Sequence, residues 1–186
     1  MPKLLFVAAL LAAAANPLRA QIPIPFSIQG GALAALPVGS LGDRLDPGTT
    51  LGIGGMLGLA PGLGLYATYS NTTFSIKESD DEVVDSGVSA GVTLAITPVR
   101  PHVMPFVSLG VVAHELEADE EEAVEIGESE IGVEVGAGLA IQVATHVRLS
   151  PTVGFRRYAV VAPGLLDPEE GHMAYLTFGA GLNIGF

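Results

Sequence analysis

Period-two alternation of apolar and small residues runs through most of this chain, and it dictates strands. Ile131, Val133, Val135, Ala137, Leu139 and Ile141 interleave with Glu130, Gly132, Glu134, Gly136, Gly138, Ala140 and Gln142. Successive side chains of a strand point to opposite faces, so this spacing separates an apolar face from one of small and polar residues. Val88, Ala90, Val92, Leu94 and Ile96 stand against Ser89, Gly91, Thr93, Ala95 and Thr97 in the same way. At the end of the chain Phe178, Ala180, Leu182, Ile184 and Phe186 alternate with Gly179, Gly181, Asn183 and Gly185. A buried helix would show a period near 3.6, and glycine at this density would destabilise it.

Reading for that period gives eight candidate strands: 26–36, 49–59, 63–76, 86–97, 102–116, 129–143, 147–160 and 172–186. Each is long enough for the roughly 9–11 tilted residues that cross a bilayer. The connections alternate without exception. Ala60-Pro61-Gly62, Pro98-Val99-Arg100-Pro101 and Ala144-Thr145-His146 are tight, whereas 37–48, 77–85, 117–128 and 161–171 are long. Short turns at one end and long loops at the other are the pattern of an up-and-down barrel in an outer membrane, with an even strand count placing both termini at the short-turn end.

The location of charge decides which face is outside. A soluble barrel of the small-ligand-binding type would put Lys and Glu on its polar face. Here that face is largely Gly, Ser, Thr, Ala and Asn, and charge collects in the long loops. Small residues suit a crowded lumen and make a weak solvent surface. The apolar face is therefore expected to meet lipid. The fold class expected is all-β, an eight-stranded antiparallel up-and-down transmembrane barrel.

The N-terminus reads as a secretory signal peptide. Lys3 precedes the apolar run Leu4 to Ala15, and Leu18-Arg19-Ala20 offers a cut before Gln21. The run is too short for a membrane helix, and no later segment supplies 18 consecutive apolar residues. The expected division is 1–20 as signal peptide and 21–186 as one barrel domain. Loss of Lys3 and Arg19 takes the formal charge from −12 to −14. So acidic a chain is a poor partner for nucleic acid. The absence of cysteine removes disulfides and thiolate metal sites.

Gly181, Ile184 and the terminal Phe186 resemble the C-terminal recognition signal of bacterial outer-membrane barrels. The run Pro105-Phe106-Val107-Ser108-Leu109-Gly110 is similar to a strand common among the small barrels. The whole expected mature chain resembles the OmpA/OmpX-like and porin-family β-barrel domains. That resemblance implies location in the outer membrane of a Gram-negative envelope. It also implies contact with membrane lipid and lipopolysaccharide, and reading of the C-terminus by the barrel-assembly machinery. It implies no specific activity.

The candidate functional residues divide into three groups. Glu78, Asp80, Asp81, Glu82 and Asp85 crowd the second long loop, and Glu117, Asp119, Glu120, Glu121, Glu122, Glu125 and Glu128 the third. Oxygen ligands suit divalent cations, but no calcium-loop spacing is present, so a solvated acidic loop is the simpler reading. Glu134, Arg148 and Arg156 are expected to point into the lumen, with Glu134 paired to one of the two arginines as a plug, or else lining a narrow pore. Tyr66, Met56 and Phe106 are expected to fill much of the interior, and the inward glycines to leave room for water. Tyr69, Phe155, Phe178 and Phe186 fall on outward faces as girdle candidates, and Arg157 is expected near a membrane boundary.

His102, His114, His146 and His172 lie near strand ends and form no zinc motif; no phosphate loop or nucleophile elbow occurs. No cofactor, metal or catalytic residue is expected. The function expected is a structural, surface-interaction or narrow-pore role. The alternatives are an outer-leaflet lipid-modifying barrel enzyme and a soluble small-ligand-binding barrel.

Overall fold

The computed structural model describes residues 25–77, 81–96, 102–118, 130–159 and 172–186. Eight strands form one closed antiparallel barrel in chain order: β1 (Phe26–Pro37), β2 (Gly48–Ala60), β3 (Leu63–Ser75), β4 (Glu82–Ala95), β5 (Val103–Ala118), β6 (Glu130–Ala144), β7 (Val147–Ala159) and β8 (His172–Gly185). Closure comes from β1 pairing with β8, from Ser27 opposite Gly185 to Pro37 opposite Tyr175. Phe186 N donates to Phe26 O at 2.9 Å beside this seam, and the two rings stack at 6.4 Å. With no free edge, every ladder is satisfied within the sheet, which is what hydrocarbon demands of a spanning structure.

The expected alternation holds through the sheet. Leu51, Ile53, Leu109, Ile131, Val153 and Leu182 stand on the outer surface, each more than half exposed. Ser27, Thr50, Ser70, Thr72, Ser89, Thr177 and Asn183 are buried on the inner one. A soluble barrel would present the opposite arrangement, so that alternative is overturned by the outer surface itself. No described helix is long and apolar enough to cross a membrane. Tyr69, Phe178 and Phe186 are exposed on the outer face, Phe155 less so. Arg157 is exposed close to the end of β7, where a charged outward side chain can reach water.

The tight turn before Leu63 is made by Pro61 and Gly62, with Gly62 at φ +83. The long loop after β1 is more ordered than its composition suggested. It contains a short helix, α1 (Ser40–Arg44), entered through Gly39 at φ +72. Leu45 then pairs as a single bridge with Ile76. Asp46 N donates to Ser75 O and Lys77 N to Arg44 O, at 2.9 and 2.8 Å. This strap brings Leu45 to 1% exposure, in one apolar cluster with Ala35, Phe74, Val83, Val112, Tyr158, Met173 and Tyr175. Phe74 and Tyr175 meet edge to face at 5.4 Å. Most of these residues belong to the long-loop ends of their strands, so a packed apolar layer fills that end of the lumen. Burying one leucine in such a layer contributes about 1.5–3 kcal/mol.

The fourth strand starts at Glu82, four residues earlier than the alternation suggested, and the fifth runs on to Ala118. Glu82 and Asp85 are thus strand residues, and so is Glu117 in sequence position. The expected signal peptide, the turn 98–101, the acidic stretch 119–128 and the loop 161–171 lie outside the described residues, as do Glu78 and Asp80.

Candidate functional site in the barrel lumen

Six strands send polar side chains to the middle of the lumen. Glu134 on β6 lies opposite Arg156 on β7 in the ladder, and Arg156 Nε donates to Glu134 Oε2 at 2.8 Å. Tyr66 OH on β3 donates to the other carboxylate oxygen at 2.5 Å. Arg156 Nη1 reaches Ser70 Oγ at 2.8 Å and Tyr175 OH at 3.3 Å. Tyr175 OH donates to Asp85 Oδ2 at 2.7 Å, and Asp85 Oδ1 lies 2.7 Å from His114 Nδ1. With a proton on Nδ1, His114 donates to Asp85. The result is an unbroken chain, Tyr66–Glu134–Arg156–Tyr175–Asp85–His114. Low local dielectric strengthens each link, and makes each one costly to break.

The expected ion pair is therefore resolved in favour of Arg156. Arg148 shares the inward register but sits beside the short turn, opposite Gln142 and Asn183, and is exposed. Water can solvate its charge there, so it needs no buried partner. Two further residues were missed. Asp85 was assigned to the solvated acidic loop, and it is wholly buried in β4. His114 was set aside, and it is 2% exposed against Asp85. The signal available was parity: Asp85 and His114 share the inward faces of β4 and β5 with Ser89 and Gly110.

The inward glycines do more than leave space for water. A Cβ on Gly87 would run into the His114 ring and the Ala113 carbonyl. A Cβ on Gly110 would displace the Tyr66 hydroxyl, and one on Gly132 would meet Tyr158. Gly87 and Gly132 let large side chains of the neighbouring strand lie across the ladder, and Gly110 makes room for Tyr66 reaching over from β3. Others, such as Gly52 and Gly185, face more open lumen. That open part is a cavity of about 880 Å³. It extends from the short-turn residues Pro61, Gly62 and His146, past Met56, Met104 and Phe106, to Ser89, Glu134 and Arg156. Among the described residues the lumen is thus a blind cup: open at the short-turn end, floored by the polar chain, and backed by the apolar layer. Phe106, Met56 and Tyr66 line the cup, as expected, while the seal behind it is made by Phe74, Tyr175, Met173 and Leu45.

Asp85, His114 and Ser89 are residue types used in nucleophilic chemistry, but Ser89 Oγ makes no hydrogen bond to His114. No group of three metal-ligating side chains is found among the described residues. Of the expected assembly signal, Gly181 faces inward against the β1 backbone, while Ile184 and Phe186 lie on the outer face.

A closed barrel with an apolar exterior, a small-residue lumen and buried, paired charges is an integral membrane barrel. The chain belongs to the outer membrane protein beta-barrel domain family, whose model matches residues 5–186. It is an outer-membrane protein. Its fold is similar to that of Neisserial surface protein A, at 19% identity over 87% of this chain and 97% of that one, with a TM-score of 0.66. It is also similar to OprG from Pseudomonas aeruginosa, at 14% identity, 88% and 96% coverage and a TM-score of 0.60. Ail, the attachment invasion locus protein of Yersinia pestis, matches at 17% identity, 89% and 100% coverage and a TM-score of 0.56. No curated protein sequence matches the chain.

Proposed function

We propose that this protein serves the outer membrane as a closed structural barrel that displays acidic loops at the cell surface, and that it is not a conduit. The observation that carries this reading is the apolar layer at the long-loop end, with Leu45, Phe74, Val83, Met173 and Tyr175 all at 1% exposure or less. Apart from Asp85 and Glu134, every Asp and Glu of the chain lies in or beside a long loop. A surface of that charge favours cationic partners, or lipopolysaccharide bridged by divalent cations at the acidic loops. Ail has been crystallised with the heparin analogue sucrose octasulfate, a polyanion; the acidic loops here argue for the opposite ligand charge. Refolded into a planar bilayer, the protein should give no stable conductance steps. An epitope inserted beside Asp81 should be detected on intact cells. Steady single-channel conductance would replace this reading with the narrow-pore one, and detection only after rupture of the outer membrane would reverse the orientation.

We further infer that Gly181, Ile184 and Phe186 form the signal by which the barrel-assembly machinery engages this chain. Phe186 also stacks on Phe26 where the barrel closes, so its loss should weaken the closing seam as well as the signal. Phe186→Ala should lower the folded fraction, read by heat-modifiable gel mobility, far more than deletion of residues 119–127 does. Equal folded yields would remove the signal assignment.

A further inference from the structure

Three buried polar atoms have no hydrogen-bond partner among the described residues: Ser89 Oγ, His114 Nε2 and Tyr158 OH. All three residues are 2% exposed. They occupy one patch of the lumen wall. The His114 and Tyr158 rings lie 5.5 Å apart. His114 is opposite Gly87 in the ladder, and the inward positions on either side of Gly87 are Asp85 and Ser89. Asp85 holds Nδ1, so the unpartnered Nε2 is the nitrogen left for another ligand. Ser89 also lines the cavity, whereas His114 and Tyr158 do not. Ser89 thus stands between the cup and the histidine.

An unmet polar atom in a dry core is costly, and three in one patch call for a common partner. A hydroxyl, an imidazole nitrogen and a phenol offer the two to four hydrogen bonds that hold a buried water. The cup supplies its route of entry. The route from the other end is closed by Leu45, Phe74, Val83 and Met173.

We propose that Ser89 Oγ, His114 Nε2 and Tyr158 OH frame a buried hydration site, and that through it the Asp85–His114 pair exchanges protons with the short-turn side of the membrane alone. The sidedness rests on the closed long-loop end argued above. Other charged or titratable groups around the pair are Tyr158 on β7, whose hydroxyl also faces Asp85, Tyr175 on β8, Arg156 on β7 and Glu134 on β6. Tyr175, Arg156 and Glu134 are already engaged in the chain of hydrogen bonds, which leaves Nε2 as the unpartnered terminus of that chain among the described residues.

Deuterium exchange at the imidazole carbon of His114, followed by mass spectrometry of the full folded barrel in lipid nanodiscs, tests this. Wild-type His114 should exchange measurably despite its burial. Ser89→Ala should slow it by about tenfold, the scale of losing one buried hydrogen-bonding partner. Ser89→Thr, which keeps the hydroxyl, should restore the rate, and Leu45→Ala should leave it unchanged. No exchange at His114 while exposed His146 exchanges would overturn the proposal from wild-type protein alone, even if Ser89→Ala failed to fold. An unaltered rate in Ser89→Ala would also overturn it. Faster exchange in Leu45→Ala would place proton entry at the loop end and defeat the sidedness. Failure of the closed-barrel reading registers separately, as conductance of the wild-type protein.

Discussion

Arg156→Leu is expected to lower the stability of the folded barrel by about 3–5 kcal/mol, the range for removing one partner of a buried pair. Arg156 is 8% exposed, and its guanidinium bridges Glu134, Ser70 and Tyr175. Without it, the Glu134 carboxylate loses the one counter-charge it has among the described residues, and Tyr175 is left to Asp85. Urea unfolding in liposomes at neutral pH measures the loss. Glu134→Gln with Arg156 intact should cost less, because Tyr66 retains an oxygen to donate to. Equal stability of Arg156→Leu and wild type would mean that water already solvates the pair.

Gly87→Val is expected to cost about 3 kcal/mol, the upper part of the range for overpacking. The added Cβ would collide with the His114 ring and with the Ala113 carbonyl. The backbone carbonyl belongs to a ladder and cannot move far, so the strain falls on His114 and on its bond to Asp85. The same substitution at Gly52, where a Cβ meets only ordinary contacts, should cost much less. A lowered urea midpoint for Gly87→Val beside a near-normal one for Gly52→Val is the expected pair of results. Indistinguishable midpoints would show that glycine at 87 is not required by close approach.

The contrast between Glu134 and Asp85 shows what local pattern can carry. Glu134 and Arg156 lie on consecutive strands joined by a short turn, so alternation and turn position together fix their register, and the pair was legible. Asp85 has partners 29 and 90 residues away. It sits in an acidic run beside Asp81 and Glu82, and local composition assigned it to a loop. Only barrel closure brings Tyr175 of β8 toward β4. Leu45 was missed for a related reason: a lone leucine in a Gly- and Pro-rich loop carries no periodicity, and its burial depends on the strap folding over the lumen. Strand existence was legible throughout, because lipid outside and small residues inside impose opposite demands on adjacent positions. The division of the lumen into an apolar layer and a cup was not, since both have the same parity.

The polar chain draws side chains from β3 to β8, and its links join residues separated by as many as 90 positions. It cannot form until all six strands stand in their final register. A sheet mispaired by two residues keeps its lipid-facing side apolar but leaves Glu134 and Asp85 without partners. Correct alignment is thus rewarded late, after most of the ladder exists. Interactions absent from the folding transition state act chiefly on the rate of unfolding. The chain of hydrogen bonds is accordingly a latch: it contributes little to how fast the barrel assembles and much to how long, once in the membrane, it stays assembled.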